Sequence, residues 1–301
     1  MAKSYKDLAG DGGSDILGQV TEQAEHLRTR MQSIGAKVAV VSGKGGVGKS
    51  AMTVNLATAA ALQGAAVGIL DADLNGPSIA KMTGVRGQAI AISREGVHPV
   101  RGPADLRIMS MDLLLAKDDT PVVWQAPTQT DAYIWRSSVE ATALREFLRD
   151  TVWGALDILF LDLPPGTDRI ATLADILPQL TGMLIVTIPS EVSHLVVRRS
   201  LALARALNVP VLGLIENMVG YYCRTCDTVG ELFRPGEGAA LASDFGVAFL
   251  GGIPFDPRLA LSGDSGIPFV ALHGETPVGQ LFRSIAEGLL AHVGAASHGG
   301  A

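Results

Sequence analysis

The sequence predicts a single doubly wound α/β domain: one mostly parallel sheet with helices on both faces. Three observations carry this. Seven short segments are apolar throughout instead of alternating, the pattern of strands buried on both faces of a parallel sheet. Helical segments lie between several of them, which is the rhythm of an open α/β sheet. A glycine-rich turn separates the first strand from the next helix, where such sheets present backbone N–H groups to anions.

In chain order, residues 1–14 are rich in Gly, Asp and Lys and read as a disordered tail. Residues 15–33 carry Ile16, Val20, Ala24, Leu27 and Met31 at helical spacing, so an amphipathic helix is expected. The main domain is expected over 34–294, followed by a second disordered tail at 295–301. Its strands are read at 37–42, 65–71, 106–111, 156–162, 182–188, 209–217 and 247–253. Helices are read at 49–63, 138–151, 169–179, 193–207, 237–245 and 276–293.

Composition narrows the class. The formal charge of −6 gives no electrostatic reason to expect nucleic acid. The most apolar stretch, 51–70, is interrupted by Asn55 and Gln63, so no membrane span is expected, and the N-terminus lacks the apolar core of a signal peptide. Two cysteines make no disulfide framework, and the expected compartment is the cytoplasm.

The turn after the first strand reads SGKGGVGKS, residues 42–50, and fits G-x-x-x-x-G-K-[ST] through Gly43, Gly48, Lys49 and Ser50. Gly43, Gly45, Gly46 and Gly48, with Val47, are expected to let successive N–H groups turn inward around phosphate oxygens. Lys49 is expected to reach the β- and γ-phosphates of a nucleotide, and Ser50 to ligate Mg2+. LDILFLDLPPG (156–166) is a strand ending in Asp162, placed to hold the same Mg2+. In ILDADLNGPS (69–78) a strand ends in Asp71 and Asp73, and one of them could orient an attacking water; a turn or cap role is the alternative for either.

Cys223 and Cys226 stand in YYCRTCD, three positions apart. Half a metal site, a redox pair and two small buried residues are all open. Polar neighbours at Arg224, Thr225 and Asp227 favour an exposed loop, and the setting after a strand disfavours a thioredoxin-type pair. His194, Arg198 and Arg199 read as a solvated helix face, and Trp124, Trp135 and Trp153 as core or interface anchors.

The extra lysine at position 44 makes GKGGVGKS resemble the deviant Walker-A P-loop ATPases, a superfamily that includes MinD and ParA. In order, DADLNGPSI (71–79), LDLPPGTD (161–168), VPVLGLIENM (209–218), the cysteine pair and FLGGIPFDPRL (249–259) resemble the Mrp/ApbC family of iron–sulfur cluster carriers. The resemblance covers about residues 34–290. It implies a homodimer that binds and slowly hydrolyses ATP and holds a 4Fe–4S cluster received from a donor and passed to apoproteins. It implies that Lys44 crosses to the partner's nucleotide, that Asp73 is a catalytic acid, that Asp162 is the magnesium-associated acid and that Asn217 contacts adenine. Four thiolates for a cluster would then come from two chains.

Two segments depart from that family: PPGTDR (164–169) replaces the usual PPGTGD, and WQAPTQTDAYIW (124–135) is divergent. Competing functions are a MinD- or ParA-like positioning switch and a dimer stapled by zinc through the same cysteines. The switch would want a basic amphipathic C-terminal helix, whereas the last helix offers Arg283 as its one non-histidine basic group. Stable association with nucleic acid or membrane is accordingly not expected.

Overall fold

The apolar runs fold into the strands of one large sheet. The computed structural model describes residues 16–114, 129–223, 225–226, 228–232 and 237–298, with side chains described outside 16–20, 129–138 and 295–298. The chain runs through α1 (Ile16–Gln32), β1 (Ile34–Ser42), α2 (Lys49–Leu62), β2 (Val67–Asp71), α3 (Ile79–Met82), β3 (Ala91–Ser93), β4 (Gly96–His98), β5 (Val100–Arg101) and β6 (Arg107–Ser110). It continues through α4 (Gln129–Asp150), β7 (Leu156–Asp162), α5 (Asp168–Ile176), β8 (Gly182–Thr187), α6 (Glu191–Ala206), β9 (Val211–Cys223), β10 (Thr228–Gly230), α7 (Gly238–Phe245), β11 (Phe249–Phe255), α8 (Pro257–Ser265), α9 (Phe269–His273) and α10 (Pro277–His298).

The parallel core has the order β9–β8–β1–β7–β2–β6. β11 adds in parallel to β9, while β10 and β5 close the two ends as short antiparallel partners. The chain moves from β1 across to β2 and β6, then returns through β7 to β8 on the other side of β1. β1 is therefore the switch point, where a ligand crevice forms at the strands' carboxyl ends.

Alternate residues of β1 enter separate cores. Ala36, Val38 and Val40 pack with α2 and α10, and Ala39 and Val41 pack with α1, α4, α5 and α6. Burial on both faces is why these strands read as continuous apolar runs.

Some bounds differ from the sequence reading. β9 continues six residues past 217 and ends on Cys223 itself, because β11 pairs as far as Tyr221 and β10 takes Tyr221–Cys223. α4 starts at Gln129, earlier than 138. α10 runs to His298, past the expected boundary at 294, through helix-favouring Ala295 and Ala296. α8 and α9 were not anticipated, although Asp256 before Pro257 is a legible N-cap and first-turn signal. The expected tail at 1–14 and residues 124–128 of the divergent segment lie outside the described residues.

Candidate functional site

β1 ends at Ser42, and the chain turns through Gly43–Gly48 into α2. Gly48 precedes α2 in the left-handed region, at φ 85°, and a Cβ there would come within 2.4 Å of Asn217 Nδ2. Only glycine satisfies both demands. Asn217, 4 % exposed on β9, donates from Nδ2 to Val47 O at 2.9 Å, while its Oδ1 is buried with no hydrogen-bond partner among the described residues.

The middle of the turn is built differently. The sequence expects Gly45 and Gly46 to be glycine for the same reason as Gly48, yet both are exposed, beside the exposed Lys44. Gly46 takes φ 80°, so its backbone does call for glycine. Gly45 does not: among the described residues a Cβ there would meet only Pro165 Cγ, at 3.9 Å. Val47, by contrast, is buried in the core and pins the turn from below. The requirement read uniformly along the loop therefore splits, with packing at Gly48, backbone angle at Gly46 and open space at Gly45.

β7 lies beside β1 with Asp162 opposite Val40, which brings its carboxylate to the first turn of α2. Lys49 Nζ lies 2.6 Å from Asp162 Oδ2, and Ser50 Oγ donates to the same oxygen at 2.6 Å. Thr53 Oγ1 donates to Oδ1, also at 2.6 Å. Asp162 and Thr53 are fully buried and Lys49 nearly so, so these charge-assisted bonds stand in place of solvent. The Ser50 hydroxyl and Asp162 carboxylate converge as hard oxygen donors, a set that suits magnesium. Thr53 was not singled out in the sequence; the signal was its position one helical turn after Lys49.

Asp71 stands directly across from Asp162 in the β2–β7 register and is fully buried. Its Oδ2 accepts Ser78 N–H at 3.0 Å, Ile79 N–H at 3.1 Å and Ser110 Oγ at 3.1 Å. Burial, and then the neighbouring Asp162 charge, push its pKa up to about 7 against the pull of the Ile79 N–H. Asp71 thus anchors the 72–79 loop. Asp73 is half-buried; its N–H donates to Asp71 Oδ1 at 3.3 Å and its Oδ1 accepts Gly76 N–H at 3.1 Å.

Two clusters around this centre were not legible. Glu140 on α4 ties both loops that follow the acids: Oε1 accepts Asn75 Nδ2 at 2.7 Å and Oε2 pairs with Arg169 Nη1 at 2.6 Å. Arg169 lies in the departing PPGTDR segment. On α6, His194 is not part of a solvated face. It is 8 % exposed, with Nε2 2.8 Å from Glu216 Oε1, because α6 lays this turn against β9. Arg198 does reach solvent, pairing with Asp244 at 3.2 Å. Trp153 is fully buried in the core, whereas Trp124 and the Trp135 side chain lie outside the described residues.

The cysteines sit at the β9–β10 turn, beyond the last β8 pairing at Glu216, with Cys223 opposite Thr228. Cys223 is half-buried and Cys226 exposed, so the reading as two small buried residues does not hold. The Cys223 thiol is held below the usual cysteine range, chiefly by the Cys226 backbone N–H donating to the sulfur, with the Cys226 side chain and the Thr225 N–H adding to it. Such N–H···S contacts favour a thiolate. Cys226 Sγ lies 3.0 Å from Thr228 Oγ1. Among the described residues no group of three or more His, Cys, Asp or Glu could hold a metal, so one chain brings the two thiols alone.

Among the described residues no helix is long and apolar enough to cross a membrane. A family model described as the NUBPL iron-transfer P-loop NTPases, of ParA type, matches residues 33–133 and 127–290. An iron-sulfur cluster carrier protein of Saccharolobus solfataricus is 43% identical over 276 residues, 90% of each chain. Another, from Methanocaldococcus jannaschii, is 42% identical over 259 residues, 86% of each chain. Among solved structures, a nucleotide-binding protein from Archaeoglobus fulgidus in complex with ADP superposes with a TM-score of 0.68 at 36% identity, covering 81% of this chain and 91% of that one. The MinD cell division protein of Aquifex aeolicus shares the fold, with a TM-score of 0.57 at 21% identity over 85% of this chain and 97% of that one. With these matches spanning the phosphate loop, both acids and the cysteine turn, the chain belongs to the NUBPL-type family of iron-transfer P-loop NTPases.

Proposed function

We propose that the protein is a cytoplasmic, homodimeric carrier that hydrolyses ATP slowly, holds a 4Fe–4S cluster between the Cys223–Cys226 pairs of two subunits, and passes it from a donor to apoproteins. The observation that carries this reading is the cysteine turn: two thiols where β9 passes beyond its parallel neighbours into the turn to β10, one of them favoured as thiolate, with Cys223 on the same strand as Asn217. Two thiolates are half of what a common cluster needs, and a two-fold axis beside the turn supplies the other half.

In the nucleotide site the chain's own groups divide the work. The N–H groups of the turn from Gly43 to Gly48, those of the exposed Gly45 and Gly46 included, receive the phosphates together with the start of α2. Lys49 neutralises charge on the β- and γ-phosphates, and its pairing with Asp162 shows how close the ammonium already sits to that acid. Ser50 and Asp162 would hold Mg2+, which, when bound, supplies charge neutralisation at the β- and γ-oxygens. Asp73 orients water from the 72–79 loop, and Lys44, exposed on the loop, reaches the partner's nucleotide. The buried, unpartnered Asn217 Oδ1 is an acceptor suited to the adenine amino group.

Anaerobic reconstitution with iron and sulfide tests the reading. The expected product is a dimer with visible cluster absorption, lost in Cys226→Ala while ATP binding remains. Persistence of the cluster in that variant, or zinc in place of iron in protein purified without oxygen, refutes it.

A further inference from the structure

FLGGIPFDPRL (249–259) is a motif to which the nucleotide and thiol sites have given no work. Its central residues lie under the cysteine turn. Asp256 caps α8, with Oδ1 accepting the Arg258 N–H at 2.9 Å, and its side chain is fully buried. The same carboxylate takes the Arg258 guanidinium side-on, Nε to Oδ1 at 3.0 Å and Nη2 to Oδ2 at 2.6 Å. A planar guanidinium gripped at two points has a fixed plane and position.

The guanidinium lies between two rings, its Cζ 5.5 Å from the Tyr222 centroid and 5.6 Å from that of Phe269. Tyr222 is buried, and it immediately precedes Cys223. At that point β9 has lost β8 at Glu216 and β11 at Tyr221, and among the described residues its strand partner is the three-residue, exposed β10. Phe269 is fixed from the other side, since the next residue, Val270, donates its N–H to Asn55 Oδ1 of α2 at 2.9 Å. α2 is the helix that the phosphate loop opens.

We propose that Arg258, oriented by Asp256, is a positioning residue for the cysteine pair: by holding Tyr222 against α9 it sets where Cys223 sits relative to the rest of the sheet. The inference rests on reading the pair as the metal-binding thiol site. Tyr221 takes a different place, 39 % exposed and stacked at 6.3 Å on Phe255, so it braces the outer side of the same strand. Of these two neighbouring tyrosines, Tyr222 is turned to the inner role.

The variants are Arg258→Lys, which keeps the charge and loses the two-point grip, and Tyr222→Leu, which keeps an apolar side chain and loses the cation–π partner. ATP binding serves as the control for folding. Two readouts are taken on full-length protein: Co2+ titration of the thiols by charge-transfer absorption, and the pH profile of iodoacetamide labelling of Cys223 in a Cys226→Ala background. Expected for each variant is Co2+ affinity weaker by about tenfold or more and a labelling profile displaced to higher pH, with the double variant no worse than the singles. Wild-type Co2+ affinity and labelling profile in Arg258→Lys, with a lowered Tm alone, would reduce Arg258 to a cap of α8 and overturn the proposal. Failure of the wild-type protein to bind Co2+ at these thiols instead removes the metal-site reading, and the positioning role with it.

Discussion

The phosphate loop and the cysteine turn are built on opposite principles. Around Asp162, three donors from one helix turn and a buried carboxylate satisfy one another at 2.6 Å, and every group comes from a single chain. At the turn, β9 has run past its parallel neighbours, one cysteine is exposed, and among the described residues the donor set stops at two thiols. The Asp162 cluster is satisfied inside the core of one chain; the two thiols stand at its surface with a donor set of two. This teaches which changes should be felt locally and which should be felt through assembly.

The largest expected effect breaks the first region. Lys49→Ala should lower ATP turnover by about two to three orders of magnitude, measured as phosphate release, because it removes the cation placed at the phosphates. It should leave anaerobic cluster binding at the cysteines in place. Unchanged turnover would contradict the loop assignment, and loss of the cluster would deny that the two regions are built separately.

A smaller effect concerns the acid pair. A folded-state pKa near 7 for Asp71 lies above its unfolded value, so the folded chain holds the extra proton between about pH 4 and 7. Stability from this group is therefore full at low pH and falls as pH rises through that window. In Asp71→Asn, free of nucleotide and metal, the Tm difference from wild type should move in the variant's favour between about pH 4 and 7. A difference that stays level across that range would show that Asp71 is ionised throughout. Such a pH response belongs to the buried region; the Cys226→Ala protein should show the wild-type profile.

The mildest change falls on a single donor to Asp162. Thr53→Val deletes one hydroxyl donor to Asp162 while keeping shape, and should cost about 1–3 kcal/mol in denaturant unfolding. A value near zero would mean that Lys49 and Ser50 suffice to hold the carboxylate.

Much of the fold was legible because its strands are buried on both faces. Continuous apolar runs marked β1, β7 and β8 to within a few residues, and the glycine pattern placed the phosphate loop at the switch point. The same pattern could not say which glycine does what: Gly48 answers to Asn217, which is 169 residues away, and Gly45 to no close neighbour. Local rules failed where a residue's partner lies far along the chain. His194 read as solvated since nothing near it in sequence announces Glu216, and β9 read as ending at 217 since its later partners, β10 and β11, come after it. Glu140 was likewise silent, as its partners Asn75 and Arg169 are remote from it in the chain.

The α/β class, the anion-binding turn, the acid at the end of β7 and the two-thiol motif are each written in contiguous residues, whose spacing follows from strand and helix geometry. Tertiary structure alone decided that Asp71 anchors a loop while Asp73 stands at its edge, that Asn217 closes onto Val47, and that Arg258 lies beneath Tyr222. These depend on which strands become neighbours and in what register, and parallel pairing joins segments whose contact no local propensity encodes.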